Sequence, residues 1–310
     1  KTLILMDLFI SVIICTYNRY KYLEETLQCL SQQDLPEDFF EIILVNNRST
    51  DQTEQVCKRF AKKNHTLNFH YFKEEQAGLS FARNRGIKEA KGDLVVFLDD
   101  DAMATEQYLS VIRKFFLENK NVLAGGGRIF PQYETEPPKW MSVFLLPLVS
   151  ALDMGDSIKV FPGNKHPIGA NMFFRKRFFS EKGDFNTALG RKGNILLGGE
   201  EKDIFNRIDR KENPIIYLPN ASIRHIVPEK RLETDHIDQL AKGIGASESI
   251  RVGKKLKDRF KMWFRETIKW GGSIILFFIY LLKFQPSKGK MLLRFRYFVT
   301  VGLLKGDTVS

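Results

Sequence analysis

Three consecutive carboxylates, Asp99–Asp101, follow the apolar run Leu94–Leu98 and are the strongest chemical signal in the sequence. In a partly desolvated crevice, adjacent carboxylates raise one another's pKa values unless a cation neutralises them. A hard divalent ion, Mg²⁺ or Mn²⁺, held by one or two carboxylates and by phosphate oxygens of a substrate, explains the cluster simply. The alternative is an acidic first turn of the helix that begins near Glu106, which accounts for one aspartate better than for three.

Arg83 is a second candidate contact for phosphate. It lies one or two turns into the predicted helix Leu79–Ala90, beside the same edge as the acidic triplet. A guanidinium there can pair with a diphosphate, although a surface salt bridge is an equally good interpretation. The sequence contains no glycine-rich phosphate loop of the dinucleotide or Walker type. A metal ion must therefore carry the phosphate charge.

Alternating strands and helices are predicted across the first third of the chain, and they position these groups. Apolar runs rich in β-branched residues predict strands at Phe9–Cys15, Glu41–Val45, Leu67–Phe72 and Leu94–Leu98. Amphipathic segments predict helices at Lys21–Gln32, Gln52–Lys63 and Leu79–Ala90. This alternation is typical of an α/β fold with a doubly wound, mostly parallel sheet, whose ligand crevice lies at the carboxyl ends of the strands. Four polar clusters should meet there: Thr16–Arg19, Asn46–Asp51, Ala77–Arg85 and Asp99–Asp101.

Composition limits the class of protein. The chain has 310 residues, of which 43% are hydrophobic and 27% charged, and these values exclude a disordered, collagen-like or coiled-coil chain. Its three cysteines have neither paired nor metal-type spacing, so a reducing compartment is expected. The net charge of +11 comes entirely from residues 251–310, while residues 1–250 are neutral. A neutral folded body argues against nucleic acid as a partner.

The C-terminal segment 251–310 interleaves basic residues with large apolar ones. Its uncharged run Trp270–Leu282 would reach only about 20 Å as a helix, short of a hydrocarbon core of about 30 Å. We expect a basic, amphipathic helical tail that lies at, or re-enters, an anionic membrane surface. The alternative is a subdomain packed on the body. The apolar start Lys1–Met6 is too short for a signal peptide, so we expect a cytoplasmic protein, peripherally associated with the cytoplasmic face of the membrane.

An ordered set of motifs resembles family 2 glycosyltransferases, which have the GT-A fold, over roughly residues 9–250. The motifs in the first half are Ser11–Arg19, Val45–Asp51, Gly78–Gly86 and Phe97–Asp101. Those in the second half are Gly169–Arg175, Gly183–Phe185, Gly198–Glu201, Tyr217–Pro219 and Arg224–His225. The resemblance implies transfer of a sugar from a nucleotide-diphosphate sugar to a hydroxyl acceptor, with inversion at the anomeric carbon.

The resemblance also implies roles for the residues of the crevice. Arg83 would lie near the phosphates, Asp99 and Asp100 would contact the donor, and Asp101 would bind Mn²⁺ or Mg²⁺ together with Asp99. His225 is a further candidate metal ligand, or else a hydrogen-bonded strand residue. Many relatives carry acids in the turn at Asn46, so a preference for uracil cannot be transferred to this chain. The residues implied to hold the base are Thr16, Tyr17, Arg19, Asn46 and Asn47.

Glu201 matches the position of the family's general base, with Glu200 as the reserve. The alternative for both is an ordinary acidic helix N-terminus. This chain has Glu201 where an aspartate is common, which moves the carboxylate by one methylene. Asp203 and Trp140 are candidate acceptor contacts; the Trp140 ring could stack on a sugar or lipid, or pack in the core.

These predictions combine into one domain organisation and one function. Residues 1–250 form the catalytic domain, with a nucleotide-sugar half (9–130) and an acceptor half (131–250), and residues 251–310 form the tail. The expected enzyme is a metal-dependent inverting glycosyltransferase of bacterial surface polysaccharide or glycolipid synthesis, with a carbohydrate or lipid-linked saccharide as acceptor. A catalytically silent sugar-binding scaffold and a nucleotidyltransferase are the alternatives; the second usually needs a glycine-rich N-terminal loop, and Ile14–Arg19 has no glycine.

Overall fold

Four parallel strands form the half of the sheet that the sequence predicts best. The computed structural model describes residues 8–191, 198–253 and 255–305. The strands are β1 (Ile10–Thr16), β2 (Phe40–Asn46), β3 (Phe69–Lys73) and β4 (Leu94–Asp99). They lie in the order β3-β2-β1-β4, so the two central strands, β2 and β1, are flanked on both sides. The predicted parallel sheet is confirmed, with each predicted boundary within two residues of the observed one.

Antiparallel strands extend this sheet beyond β4. They are β5 (Ala102–Ala104), β6 (Ala124–Tyr133), β7 (Lys159–Val160), β8 (Asn171–Arg175) and β9 (Ile216–Val227). β8 pairs antiparallel with both β4 and β6, and β9 pairs antiparallel with β5 and β7. The sheet is therefore mixed, and its antiparallel part brings later segments of the chain to the end of β4.

Helices cover both faces of the parallel strands, because neighbouring residues of β1 point to opposite sides. Val12 and Ile14 belong to one apolar cluster and Ile13 to another, and all three are fully buried. The first cluster includes Leu23 and Leu27 of the first helix. The helices of this part are α1 (Tyr20–Ser31), α2 (Thr53–Lys63), α3 (Leu79–Glu89), α4 (Tyr108–Glu118), α5 (Arg177–Lys182) and α6 (Glu200–Phe205).

The described residues divide into two compact units. The first contains residues 8–131, 150–187 and 201–226, and the second contains the described parts of 132–149, 188–200 and 227–305. The last three helices, all in the second unit, are α7 (Thr234–Val252), α8 (Leu256–Leu282) and α9 (Pro286–Lys305). Residues 227–250 thus pack with the tail helices, although the sequence grouped them with residues 1–226.

Glycines explain why α7 packs with the tail. Gly245 of α7 lies against the backbone of Val299 and Leu303 of α9, and Gly302 of α9 lies against the backbone of Lys242. A side chain at either glycine would collide with main-chain atoms, so the two helices approach more closely than larger residues would allow. Such contacts between residues far apart in sequence cannot be seen from composition or charge.

In the described part of the chain, none of the helices is both long and apolar enough to span a bilayer.

Candidate active site

The end of β4 is joined to the end of β9 by the short strand β5. Ala102, directly after the acidic triplet, pairs with His225, and the Ile226 N–H donates to the Asp101 carbonyl (3.0 Å). On the other side, Asp99 pairs in register with Cys15 of β1. Strand pairing therefore places an imidazole beside carboxylates that are more than a hundred positions earlier in the sequence.

Asp99, Asp101 and His225 form a compact group of potential metal ligands. His225 Nε2 lies 3.0 Å from Asp101 Oδ1 and 3.6 Å from Asp99 Oδ2, and one ligand atom from each residue lies within 4.8 Å of the others. Asp101 and His225 are fully buried, while 33% of the Asp99 side chain is exposed. Two carboxylates and an imidazole, open on one side, fit a divalent ion such as Mn²⁺.

Positive groups balance the buried acids. Burial raises the pKa of Asp100 to about 7; Arg19 opposes the shift, and the charge of Asp101 adds to it. Burial also raises the pKa of Asp99, but His225, through a hydrogen bond and its charge, and the Arg83 charge together outweigh this, so that pKa lies below its usual value. The Arg19 guanidinium forms an ion pair with Asp101. The three carboxylates thus crowd one another, as the sequence predicts, and they need cationic neighbours.

Arg83 of α3 and Glu201 of α6 form an ion pair in the same unit. The guanidinium is almost completely buried and lies 3.4 Å from Glu201 Oε1, while 20% of the Glu201 side chain remains exposed. Aromatic rings flank the guanidinium, with centroids 5.2 Å (Phe185) and 5.9 Å (Phe97) from its carbon. The pair leaves a partly accessible carboxylate held by a rigid, buried cation.

The loop of residues 182–185, which carries Phe185 next to Arg83, is held by hydrogen bonds from two segments of the chain. Asn84, next to Arg83, exchanges two hydrogen bonds of 2.9 Å with the backbone N–H and carbonyl of Phe185. Two residues beyond the end of α6, Arg207 donates to the carbonyls of residues 182–184 and to the Asp203 carboxylate (2.5 Å). Asp203 thus has a local structural partner, and its predicted contact with the acceptor stays a prediction. The sequence analysis missed Asn84; its only signal was its place beside Arg83.

Gly169 lies against both members of the ion pair, and its replacement gives a sharp prediction. A methyl group there would overlap the Glu201 carboxylate and the Arg83 guanidinium, which are the ends of flexible side chains. We expect Gly169→Ala to fold and to separate the pair, lowering kcat by roughly 10²-fold, as misplacement by about 1 Å does in other enzymes. Initial rates and thermal unfolding measure the two effects. Wild-type kcat in this variant would show that the reaction does not depend on the spacing of Arg83 and Glu201.

Hydrogen bonds link β2 and the turn after it to β3 and the turn after β3, and this affects the predicted base-binding residues Asn46 and Asn47. The Asn47 amide donates to the Glu74 and Gln76 carbonyls (3.0 and 2.7 Å) and accepts from the Gly78 N–H (2.8 Å). Asn46 donates to the hydroxyl of Tyr71 (2.8 Å). Both amides therefore form hydrogen bonds within the protein that fix this edge of the sheet, and their predicted contact with a ligand stays a prediction. Thr16 is buried and Tyr17 is half exposed at the same edge.

Two other predicted site residues lie in the second unit. Glu200 is the first residue of α6 and is almost completely buried. Trp140 is half-buried and packs with the apolar cluster of Leu145, Ile237 and Met291. Packing therefore accounts for part of the Trp140 ring, and its contact with an acceptor stays a prediction.

A mixed sheet whose fourth parallel strand, β4, ends in clustered carboxylates is the arrangement expected of a GT-A-type glycosyltransferase fold. The family model for glycosyl transferase family 2 matches residues 11–183, so the chain belongs to that family. The predicted resemblance and fold are confirmed.

Several known proteins are similar to this chain. A glucosyl-dolichyl phosphate glucuronosyltransferase of Haloferax volcanii is 25% identical over 229 residues, which cover 73% of this chain and 72% of the relative. The poly(ribitol-phosphate) β-N-acetylglucosaminyltransferase TarS of Staphylococcus aureus is 35% identical over 109 residues, 35% of this chain and only 19% of that relative's own length.

Solved structures agree on the fold. The mannosyltransferase PcManGT of Pyrobaculum calidifontis, solved with GDP-Man and Mn²⁺, has a TM-score of 0.64 over 95% of this chain and 86% of its own, at 18% identity. TarS residues 1–349, solved with UDP-GlcNAc, has a TM-score of 0.51 over 81% of this chain and 69% of its own, at 19% identity. At these identities the likeness shows the GT-A fold and not the substrate.

Proposed function

We propose that the protein is a metal-dependent, inverting glycosyltransferase that moves a sugar from a nucleoside diphosphate sugar to a hydroxyl acceptor. The observation that carries the proposal is the convergence of Asp99, Asp101 and His225, whose ligand atoms lie within 4.8 Å of one another. These residues would hold Mn²⁺ or Mg²⁺, and the ion would stabilise the charge of a departing diphosphate. Complexes of fold relatives with GDP-Man and UDP-GlcNAc support a donor of this class.

Glu201 is the proposed general base of a single displacement. The acceptor oxygen forms a bond to the anomeric carbon, and the bond from that carbon to the diphosphate oxygen breaks with its electron pair. The acceptor hydroxyl proton passes to the Glu201 carboxylate. Attack from the face opposite the leaving group inverts the anomeric configuration. Arg83 holds one carboxylate oxygen of Glu201, and the partial exposure of that side chain lets an acceptor approach it.

The proposed acceptor is a carbohydrate or a lipid-linked saccharide, in the synthesis of a bacterial surface polysaccharide or glycolipid. The name of the Haloferax volcanii relative, a glucosyl-dolichyl phosphate glucuronosyltransferase, supports a lipid-linked acceptor. The relatives also include a poly(ribitol-phosphate) β-N-acetylglucosaminyltransferase, whose name supports a polymeric acceptor. We also propose that the protein works at the cytoplasmic face of a membrane, with the excess positive charge of residues 251–310 as the support.

The experiment that tests the proposal is a two-stage donor screen. Thermal shifts with UDP, GDP and dTDP sugars, each with and without Mn²⁺, should identify one donor whose stabilisation depends on the metal. Release of free nucleoside diphosphate should then require a lipid-linked saccharide acceptor. Metal-dependent binding without turnover on any acceptor would instead support the silent scaffold.

A further inference from the structure

The longest helix of the second unit, α8, exposes apolar side chains along its whole length. Four of them recur every fourth residue and form the apolar row: Leu256, Phe260, Phe264 and Ile268, each at least 60% exposed. The same face continues in the second half of the helix through Ile275, Phe278 and Leu282, which are 56–80% exposed. A continuous apolar surface of this size normally has a partner.

A second row of side chains runs parallel to the first and is basic. The basic row consists of Lys257, Lys261, Arg265 and Lys269, each one position after a member of the apolar row, and all are exposed. Residues four apart lie on the same helix face, so the two rows are adjacent over the first half of α8. An apolar stripe bordered by lysine and arginine is complementary to a lipid interface with anionic headgroups.

The opposite side of α8 is fixed to α9. Met262 is buried against Val299 and Leu303, and the buried Glu266 accepts a hydrogen bond from Arg296 (3.0 Å). Further along, the Trp270 indole donates to Thr300 (2.9 Å). One side of α8 is therefore packed and the other is exposed. The exposed side can contact a flat surface without breaking the contacts between α8 and α9.

We propose that the apolar row and the basic row of α8 together form a docking surface for an anionic lipid bilayer, with the helix lying in the plane of the interface. The proposal rests on the membrane association proposed above and identifies which face performs it. Apolar side chains enter the boundary between headgroups and acyl chains, while the stems of the basic row lie along it and place their charges among lipid phosphates. A second copy of the chain is a poorer occupant, because two basic rows would repel each other.

Vesicle flotation tests the proposal with the full chain. The probe is a vesicle of phosphatidylcholine and phosphatidylglycerol in equal amounts, compared with phosphatidylcholine alone. Phe260→Ser/Phe264→Ser/Ile268→Ser should bind anionic vesicles at least about tenfold more weakly than wild type, since apolar area no longer leaves water. Lys257→Gln/Lys261→Gln/Arg265→Gln should lose the preference for anionic vesicles, by about fivefold per charge.

The matched control replaces apolar residues elsewhere. Ile158→Ser/Val160→Ser changes one side chain just before β7 and one on it, 58% and 54% exposed and both in the first unit, and this variant should bind vesicles like wild type. Wild-type binding by the apolar-row variant would overturn the docking surface and leave membrane association standing. A wild-type protein that ignores vesicles, yet transfers sugar to a soluble acceptor, would overturn the docking surface and leave the transferase standing. A lipid-free dimer that only the apolar-row substitutions dissociate, without vesicle binding, would assign the stripe to a second copy.

Discussion

Asp101→Ala is expected to abolish the Mn²⁺-dependent part of nucleoside diphosphate binding, weakening it by about 10²-fold or more. Asp101 is completely buried and lies beside both His225 and Arg19. Its removal takes away one anionic ligand and the carboxylate that pairs with the Arg19 guanidinium. Calorimetric titration of UDP and GDP, with Mn²⁺ and with a chelator, measures the effect directly.

Two further variants separate a ligand role from general damage. Asp238→Ala removes another buried aspartate, which pairs with the half-exposed Arg294 (2.6 Å) in the second unit, and should retain the metal effect. His225→Ala should weaken metal-dependent binding less than Asp101→Ala, because a neutral imidazole contributes less attraction to a dication than a carboxylate does. If Mn²⁺ strengthens nucleotide binding to Asp101→Ala as much as to wild type, Asp101 is not a ligand.

The parallel half of the fold is predictable because its signals are local. Strands β1, β2 and β4 are runs of buried, mostly apolar residues, and the polar cluster after each marks the carboxyl end where a crevice must lie. The carboxylates Asp99 and Asp101 could therefore be assigned to one site from the sequence. Their position next to β1 follows from the order of the sheet.

The rest of the site depends on pairings that no local pattern encodes. His225 meets Asp101 only because β5 turns back onto β9, so the sequence left it as either a ligand or a strand residue. The bracing of Phe185 by Asn84 joins residues about a hundred positions apart. Amides such as Asn47 can bind a ligand or close a loop with the same atoms, and only the structure reveals the bonds they make within the protein.

The packing of the tail helices is also something that the sequence alone could not settle. Charge and hydrophobicity alone predicted a helix at a membrane or a subdomain packed on the body. In the structure α9 packs on α7 through Gly245 and Gly302, and α8 packs on α9 with its other side exposed. Packing and exposure therefore occur on opposite sides of one helix.

Glu201→Gln should lower kcat by about 10²- to 10⁴-fold while leaving the Kd of the donor unchanged. Glutamine has the same length and keeps an oxygen that can accept from Arg83, so the geometry of the pair (3.4 Å) should survive. The amide cannot take the proton of the acceptor hydroxyl. Single-turnover rates and donor titrations separate the two effects, and the loss should appear in the first and not in the second.

Three comparisons determine whether the carboxylate itself is responsible. Glu201→Asp keeps a base but withdraws it by one methylene, so it should be more active than Glu201→Gln and less active than wild type. Glu89→Gln alters another glutamate–arginine pair, to Arg85 (2.8 Å) on α3, and should retain full activity. If Glu201→Gln is as fast as wild type while Glu200→Gln is slow, the proton goes to Glu200. Glutamine preserves the shape of the side chain and removes only its affinity for a proton. The general base is therefore the glutamate whose replacement by glutamine slows transfer without changing the Kd of the donor.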